Sequence, residues 1–582
     1  MKKFLLGVLV GFAVSALTAV IFIFIIARVA ASFGDRPVTV ADGSTLVFRL
    51  EGPVPEKPVP DIPFPAFEDQ SPITVLQVWE TLRKAAADPR IKAVLFEPSG
   101  VGVGWARLEE IRGELLEFKK SGKPLVAYLR APGTREYYLA TAADKIYMSS
   151  EDTLDVKGLR VEALFLKNTL DKLGVKFDVI HAGKYKDAGD ALTQTSMTPE
   201  TREVLNDILD RYYSDLVSTI ASGRKKSAAE IREAIDNGPF MGNDALSRGL
   251  VDSLGFEDQA ADEVKKRLNH GDLKRISHKA YLKARVPSLE GGKRIALIVG
   301  EGAITRGREN PGFGGDPGIT SGGFTKLLKQ VENDSSIKGA IVRVDSPGGD
   351  AVASDEILHE VKNLSRKKPV VISMGDLAAS GGYFISMTGD PIVAYPNTLT
   401  GSIGVIFAKI NLKGLYDKIG ITKQPLSRGK MAELDSDSQP ISPAEQAKLR
   451  DHVDQIYQGF LKRVADGRRK KVGEIEPLAQ GRVWLGAEAK GNGLVDELGG
   501  LDKAVELIRK KAGIGASEKI TLVPFPQKRS LFEVLLSSRS DESAAMDAAL
   551  NAKIRTLLGG FPVGAWQEGG FLQVMPYTVK VY

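Results

Sequence analysis

The sequence predicts an α/β protein: two tandem copies of one α/β domain, preceded by one N-terminal transmembrane helix. Three observations predict it. A long charge-free stretch opens the chain. Local matches recur at a nearly constant spacing. Within each copy, β-branched runs alternate with amphipathic patterns, the signature of layered strands and helices. The expected division is residues 1–30 for the anchor, 31–290 for the first copy and 291–582 for the second.

The anchor comes first. Lys2 and Lys3 precede Phe4–Ala27, a run of 24 residues without a charge. At ~1.5 Å per residue this makes about 36 Å of helix, enough to cross ~30 Å of hydrocarbon. The apolar region of a cleaved signal peptide is shorter, about 7–15 residues. The run therefore reads as a retained helix, although the small residues at 27–32 leave trimming open. Lys2, Lys3 and the amino terminus outweigh Arg28, which places the tip in the cytoplasm and the rest of the chain outside it.

The repeat comes next. Asp88-Pro-Arg-Ile-Lys-Ala-Val-Leu returns 246 residues later as Asp334-Ser-Ser-Ile-Lys-Gly-Ala-Ile. Leu170-Asp-Lys-Leu-Gly174 returns as Tyr416-Asp-Lys-Ile-Gly420, and Gly183-Lys184 as Gly429-Lys430, at the same offset of 246. Gly249-Leu-Val-Asp-Ser-Leu-Gly255 matches Gly493-Leu-Val-Asp-Glu-Leu-Gly499 at 244, and Glu51-Gly52 matches Glu301-Gly302 at 250. Such constancy marks a tandem duplication, joined near Pro287–Lys293.

In the first copy, Ile91–Phe96 and Leu125–Leu129 read as buried strands, with an amphipathic helix over Leu108–Lys120 between them. A longer helix is expected over Asn206–Ser222. In the second copy the strands are Gly339–Val344 and Val370–Met374, and the helices Ser354–Lys367 and Ala444–Ala465. Arg306–Gly323 is Gly-rich and reads as a surface loop. Ser530–Ala552 carries a helical pattern.

Composition narrows the chemistry. With 43% hydrophobic and 26% charged residues, collagen-like and disordered classes are excluded. The net charge is only +6, and no basic tract interleaved with aromatics appears, which argues against nucleic acid. The chain has no cysteine, so thiol nucleophiles, disulfides and thiolate zinc sites are excluded. His181, His270, His278, His359 and His452 are scattered and favour neither a metal site nor a Ser-His-Asp triad.

Differences between the copies point to a site. The second copy has Val344-Asp-Ser-Pro-Gly-Gly349 where the first has Phe96-Glu-Pro-Ser-Gly100. Gly348 and Gly349 allow close backbone approach, as an oxyanion hole requires; a plain turn would use them equally. Ser380, in Ala-Ala-Ser380-Gly-Gly-Tyr, sits in the small-residue setting of a strand-to-helix turn that exposes Oγ. Thr134 stands opposite it, and Arg135 and Glu136 replace the two glycines.

A serine nucleophile needs a base, and lysine is the main candidate left. Gly183-Lys184-Tyr185-Lys186-Asp187 faces Gly429-Lys430-Met431-Ala432-Glu433. Lys184 is shared with Lys430, as a surface role would allow, whereas Lys186 faces Ala432. Lowering a lysine from ~10.4 to ~7.5 costs roughly 4 kcal/mol, which burial can impose. Ser402, in Thr400-Gly-Ser-Ile-Gly404, is a candidate partner for the amine; its counterpart is Val156. One copy keeps the serine and the other the lysine, so a working site needs both.

Together, the anchor, the duplication and the Asp-Ser-Pro-Gly-Gly, Ala-Ser-Gly-Gly-Tyr, Thr-Gly-Ser-Ile-Gly and Gly-Lys-Tyr-Lys motifs make the chain resemble the SppA-type signal peptide peptidases, also called protease IV. The resemblance covers nearly the whole length. It implies a Clp-protease/crotonase-like fold for each copy and a Ser-Lys dyad. It implies Ser380 as nucleophile, Lys186 as general base, Ser402 as its positioning partner and Gly349 as an oxyanion donor. It also implies a homotetramer on the outer face of the bacterial inner membrane that degrades remnant signal peptides. The Gly381 N–H is expected to join the oxyanion hole. No metal, nucleotide or other cofactor is expected. The expected partners are apolar peptides and the lipid bilayer. The rival readings are a membrane-tethered peptide-binding scaffold without catalysis and an acyl-CoA-processing enzyme of the crotonase type.

Overall fold

The structure is a computed structural model. It describes residues 38–58, 71–269, 272–287, 289, 291–307, 318–527 and 571–575, with six isolated positions between 11 and 21. The expected anchor at Phe4–Ala27 and the helical pattern at Ser530–Ala552 lie almost wholly outside these residues. Among the described residues no helix is long and apolar enough to cross a membrane.

Each copy is built on a twisted parallel sheet. In the first, the strand order is Ser253–Leu254, Lys145–Met148, Leu125–Leu129, Ile91–Ser99, Ser44–Glu51 and Lys274–Ser277. The central strand reads as a nearly continuous apolar run because both its faces are covered: Ile91, Ala93, Val94, Leu95 and Phe96 are all fully buried. The second sheet repeats the plan with Glu497–Leu498, Ile392–Ala394, Val370–Ala379, Ile337–Ser346, Lys293–Glu301 and Ile520–Phe525, and the end of Val370–Ala379 also carries Leu399–Gly401 with its antiparallel partner Val483–Leu485. Small fixtures repeat as well. The Tyr137 hydroxyl donates to the Leu250 carbonyl at 2.6 Å, and Tyr383 donates to Leu494 at 2.8 Å. Arg224 grips Asp252 and Arg468 grips Asp496, each at 2.6 Å.

The two long helices are Pro199–Arg224 and Pro443–Arg468. The first starts seven residues before the expected Asn206, whereas the second starts within one residue of the expected Ala444. Thr198 and Ser442 cap polar first turns, with proline in the first turn, where its missing N–H costs nothing. The strand expected at Val370–Met374 runs on to Ala379. The loop expected over Arg306–Gly323 is shorter than its composition suggests. Ile319–Thr320 is a strand and Thr320 caps the helix Ser321–Asn333, so Gly322 and Gly323 fall in a helical first turn.

A third sheet belongs to both copies. Its order is Ile319–Thr320, Ile304–Thr305, Gly348–Asp350, Phe571–Val574, Val405–Asn411 and Lys176–Ala182. Lys176–Ala182 comes from the first copy and pairs antiparallel with Val405–Asn411 of the second, from Val405↔Ala182 to Asn411↔Lys176. That pairing carries the residues after Ala182 onto the second copy. Elsewhere between the copies, the fully buried Arg343 bonds Glu56 at 2.8 Å and Glu110 at 2.5 Å. Desolvation offsets much of the attraction in a buried charge set of this kind.

Candidate active site

Ser380 stands between the strand Val370–Ala379 and the short helix Gly381–Phe384. Its φ of 55° and ψ of −114° are strained for a residue with a side chain. Such strain costs about 1–3 kcal/mol and persists only where the surroundings impose it. They do so here. The Ser380 N–H donates to the Gly401 carbonyl at 2.8 Å, and the strand before it is paired through Ala379↔Gly401. The next two residues have no room for a Cβ: one on Gly381 would lie 2.8 Å from Ser354 Oγ, and one on Gly382 2.6 Å from the Ser346 carbonyl oxygen.

Lys186 arrives from the first copy. After Ala182 the chain turns at Gly183, and the Tyr185 N–H donates to the Gln480 carbonyl at 2.7 Å. This anchors the lysine loop on the second copy. The side chain then runs between two glycines. A Cβ on Gly404 would lie 3.0 Å from Lys186 Cδ, and one on Gly481 2.7 Å from Lys186 Cβ. Nζ ends 2.7 Å from Ser380 Oγ, 3.0 Å from Ser402 Oγ and 3.0 Å from the Ser402 carbonyl oxygen. Ser402 is itself held at φ 50°, its N–H donating to the Arg482 carbonyl at 2.7 Å.

Lys186, Ser380 and Ser402 are all 0% exposed. Burial pushes the Lys186 amine well below its ordinary range, and no carboxylate among the described residues offsets it. Asp187, the nearest in sequence, is turned away onto the hydroxyls of Thr201 at 2.5 Å and Thr198 at 3.1 Å. A neutral amine beside a hydroxyl is the arrangement that general-base chemistry needs. Lys184 lies elsewhere: it is exposed and faces Glu200 at 3.6 Å.

The Ser346–Gly349 segment passes directly against Gly381. A Cβ on Gly348 (φ 95°) would lie 2.5 Å from the Gly381 nitrogen, and one on Gly381 3.1 Å from the Gly349 nitrogen. The structure thus brings Ser380, Lys186, Ser402, Gly349 and Gly381 together. The first copy closes the corresponding place. Its Glu136 carboxylate accepts the N–H groups of Val101 at 2.6 Å and Gly133 at 3.0 Å, so donors beside Thr134 are already satisfied.

One participant was not foreseen. Phe571–Val574 lies between Gly348–Asp350 and Val405–Asn411 and is antiparallel to both. Val574 faces Gly348, Gln573 faces Gly349, and the Met575 N–H donates to the Pro347 carbonyl at 2.8 Å. Leu572 and Val574 pack with Ile406, Ala188 and Val179. The sequence signal was a short, mostly apolar run, Phe571-Leu-Gln-Val574, after two glycines; nothing local named its partner strands.

Known proteins resemble this chain over most of its length. The Peptidase family S49 profile matches twice, over residues 117–270 and 362–515. The Arabidopsis thaliana protein "Serine protease SPPA, chloroplastic" is 35% identical over 513 residues, covering 86% of this chain and 75% of its own. "Protease 4" of Salmonella typhi is 32% identical over 489 residues, covering 81% and 77%, and "Protease 4" of Haemophilus influenzae is 32% identical over 453 residues, covering 74% and 72%. Among solved structures, a ClpP1 mutant from Listeria monocytogenes aligns over 35% of this chain and 91% of its own at 15% identity, with a TM-score of 0.21.

Proposed function

The chain belongs to peptidase family S49 and is a serine protease with its family domain written twice, and we propose that it cuts apolar peptides, remnant signal peptides among them, with a Ser380–Lys186 dyad. The observation that carries the dyad is the 2.7 Å contact of Nζ and Oγ in a pocket closed to solvent. Neutral Lys186 takes the Ser380 proton as Oγ attacks the scissile carbonyl. The Gly349 and Gly381 N–H groups hold the oxyanion. The lysine returns the proton to the leaving amine, and water activated by the same amine releases the acyl group.

The proposal extends to the setting. Phe4–Ala27 anchors the chain in the bacterial inner membrane, with residues 31–290 and 291–582 as Clp-protease/crotonase-like copies on the outer side. The alternating strands and helices of each copy support that fold. The helices Lys167–Leu173 and Lys413–Ile419 bury none of their residues and expose Leu173 and Ile419; assembly into a tetramer is part of the proposal by resemblance to the family.

The test is cleavage of an internally quenched Leu/Val-rich peptide by the full chain in detergent, with labelling by a fluorophosphonate. Cleavage and a single label on Ser380 are expected. A folded protein that neither cleaves nor labels would sink the reading.

Two sets of variants probe the site's parts. Ser402→Ala removes one of the amine's bonds, worth about 1.5–3 kcal/mol to a charged group, so kcat should fall on the order of 10- to 100-fold with KM little changed. Peptides would bind as a strand against Gly348–Asp350, in the lane that Phe571–Val574 fills. Joint Leu572→Asp and Val574→Asp replacement puts two carboxylates into an apolar cluster and unseats that strand. KM should then drop about tenfold, for a seating worth about 1.4 kcal/mol. A rise in KM would mean the strand is part of the lane wall.

A further inference from the structure

Arg107 belongs to the first copy, on the helix Trp105–Lys119, and is 8% exposed. Its guanidinium bonds Asp345, lies 3.1 Å from Asp376, and has Glu56 and Glu301 at 3.5 and 3.6 Å. It also donates to the Val54 carbonyl at 2.9 Å. Asp345 and Asp376 stand on the two strands that lead into the reaction site. One precedes Gly348 by three residues and the other precedes Ser380 by four.

Between these strands the ladder is irregular at the same place. Val344 pairs with Met374 and Ser346 with Ala378, so one residue, Asp345, faces three, Gly375 to Leu377. The Leu377 N–H donates to Asp345 Oδ1 at 2.8 Å, and a Cβ on Gly375 would lie 2.9 Å from that oxygen. Bulges bend a strand and re-aim the residues beyond them; beyond this one lies Ser380. Asp376, at the crest of the bulge, accepts the N–H groups of Gly104 at 3.0 Å and Arg107 at 2.7 Å. It thereby caps a first-copy helix whose own cap residue is a glycine without a side chain.

The second copy has no such pairing on its own equivalent helix. Asp350 stands there at the offset of Gly104 and caps its own helix, its carboxylate accepting the Ala353 N–H at 2.8 Å. Ala353 stands at the offset of Arg107. The serine-bearing copy thus receives beneath its bulge an arginine that its own helix does not carry.

We propose that Arg107 is a positioning residue for the reaction: by holding Asp345 and Asp376 together it sets the bulge that aligns Ser380 with the Gly349 and Gly381 N–H groups. This rests on the Ser380–Lys186 reading. Without the guanidinium, Asp345 and Asp376 lose the charge that joins them and Glu301 loses a neighbouring counter-charge, while Glu56 keeps Arg343 at 2.8 Å, so the tie between the two strands is released. Burial, with the neighbouring carboxylates adding, already raises Asp345 to about 7 against the pull of Arg107.

The test uses Arg107→Gln and Arg107→Lys in the full chain. Quenched-peptide kinetics, the rate of fluorophosphonate acylation, the urea midpoint and amide hydrogen exchange are all read. With Gln, kcat and the acylation rate should fall together on the order of 10²-fold at KM within about twofold, under conditions where the variant is fully folded. Exchange should quicken over 375–382. Lys should restore part of kcat. Unchanged exchange over 375–382, or a lower urea midpoint with normal kcat per folded chain, would overturn the proposal. If the parent chain neither cleaves nor labels, the dyad reading fails instead, and the exchange pattern still decides whether Arg107 holds the bulge.

Discussion

Lys186→Met is expected to lower kcat/KM on the order of 10⁴-fold or more and, at the same time, to raise the urea midpoint near neutral pH. The first effect comes from removing the one amine placed 2.7 Å from Ser380 Oγ. Methionine keeps the unbranched shape and fills the channel between Gly404 and Gly481. The second effect comes from linkage. Burial holds the folded-state amine well below its ordinary range, while the unfolded chain keeps its proton up to ~10.4. Between those two pKa values the unfolded state binds more protons, so stability rises with pH, by up to about 1.4 kcal/mol per unit. The buried lysine therefore weighs against folding at neutral pH, and less so as pH rises. Methionine removes that slope. The measurement is the urea midpoint against pH for parent and variant. A variant that is inactive and also less stable would show that the amine is not held neutral. The parent's kcat/KM should carry the same signature: it falls on the acid side as the amine gains its proton, and the limb belongs to the free enzyme.

Much of this site was legible because the duplication offers its own comparison. Ser380 against Thr134, Lys186 against Ala432 and Ser402 against Val156 each differ in the direction that chemistry would require. The strands were legible because buried parallel strands are continuous apolar runs, as at Ile91–Ser99. The rest depended on contacts between distant segments. No local pattern says that Lys176–Ala182 pairs with Val405–Asn411, because a half-exposed strand of alternating character accepts many edges. Arg107 carries no local signal, since its four carboxylate neighbours come from residues 56, 301, 345 and 376. The early start of the helix Pro199–Arg224 was hidden because a cap and a first-turn proline, rather than apolar spacing, set it. The tail strand was hidden for the reason that makes it interesting: it has a β pattern with no hairpin partner nearby.

Ser380→Ala is expected to abolish turnover to the same order as Lys186→Met, and the double variant to lose no more than either alone, because two groups that act as one unit are not additive. The two single variants differ in what they leave. Ser380→Ala keeps the buried amine, with both Ser402 bonds at 3.0 Å, so its stability should retain the parent's pH slope. It should also still bind peptide, since the lane beside Gly348–Asp350 is backbone and is unchanged. Mixing the two single variants should restore nothing. Lys186 reaches Ser380 within one chain, through a loop anchored by Tyr185 on Gln480 and a strand seven residues long paired to Val405–Asn411. A chain lacking its own lysine cannot borrow one without undoing that strand. Recovery of activity on mixing would therefore mean that the lysine-bearing strand is exchanged between chains. The dyad would then be a property of the assembly, and the serine and lysine would report on oligomerisation as much as on catalysis. Equal loss in both variants, silence on mixing and a pH slope surviving only in Ser380→Ala would tie the chemistry to one neutral amine delivered by one copy to the serine of the other.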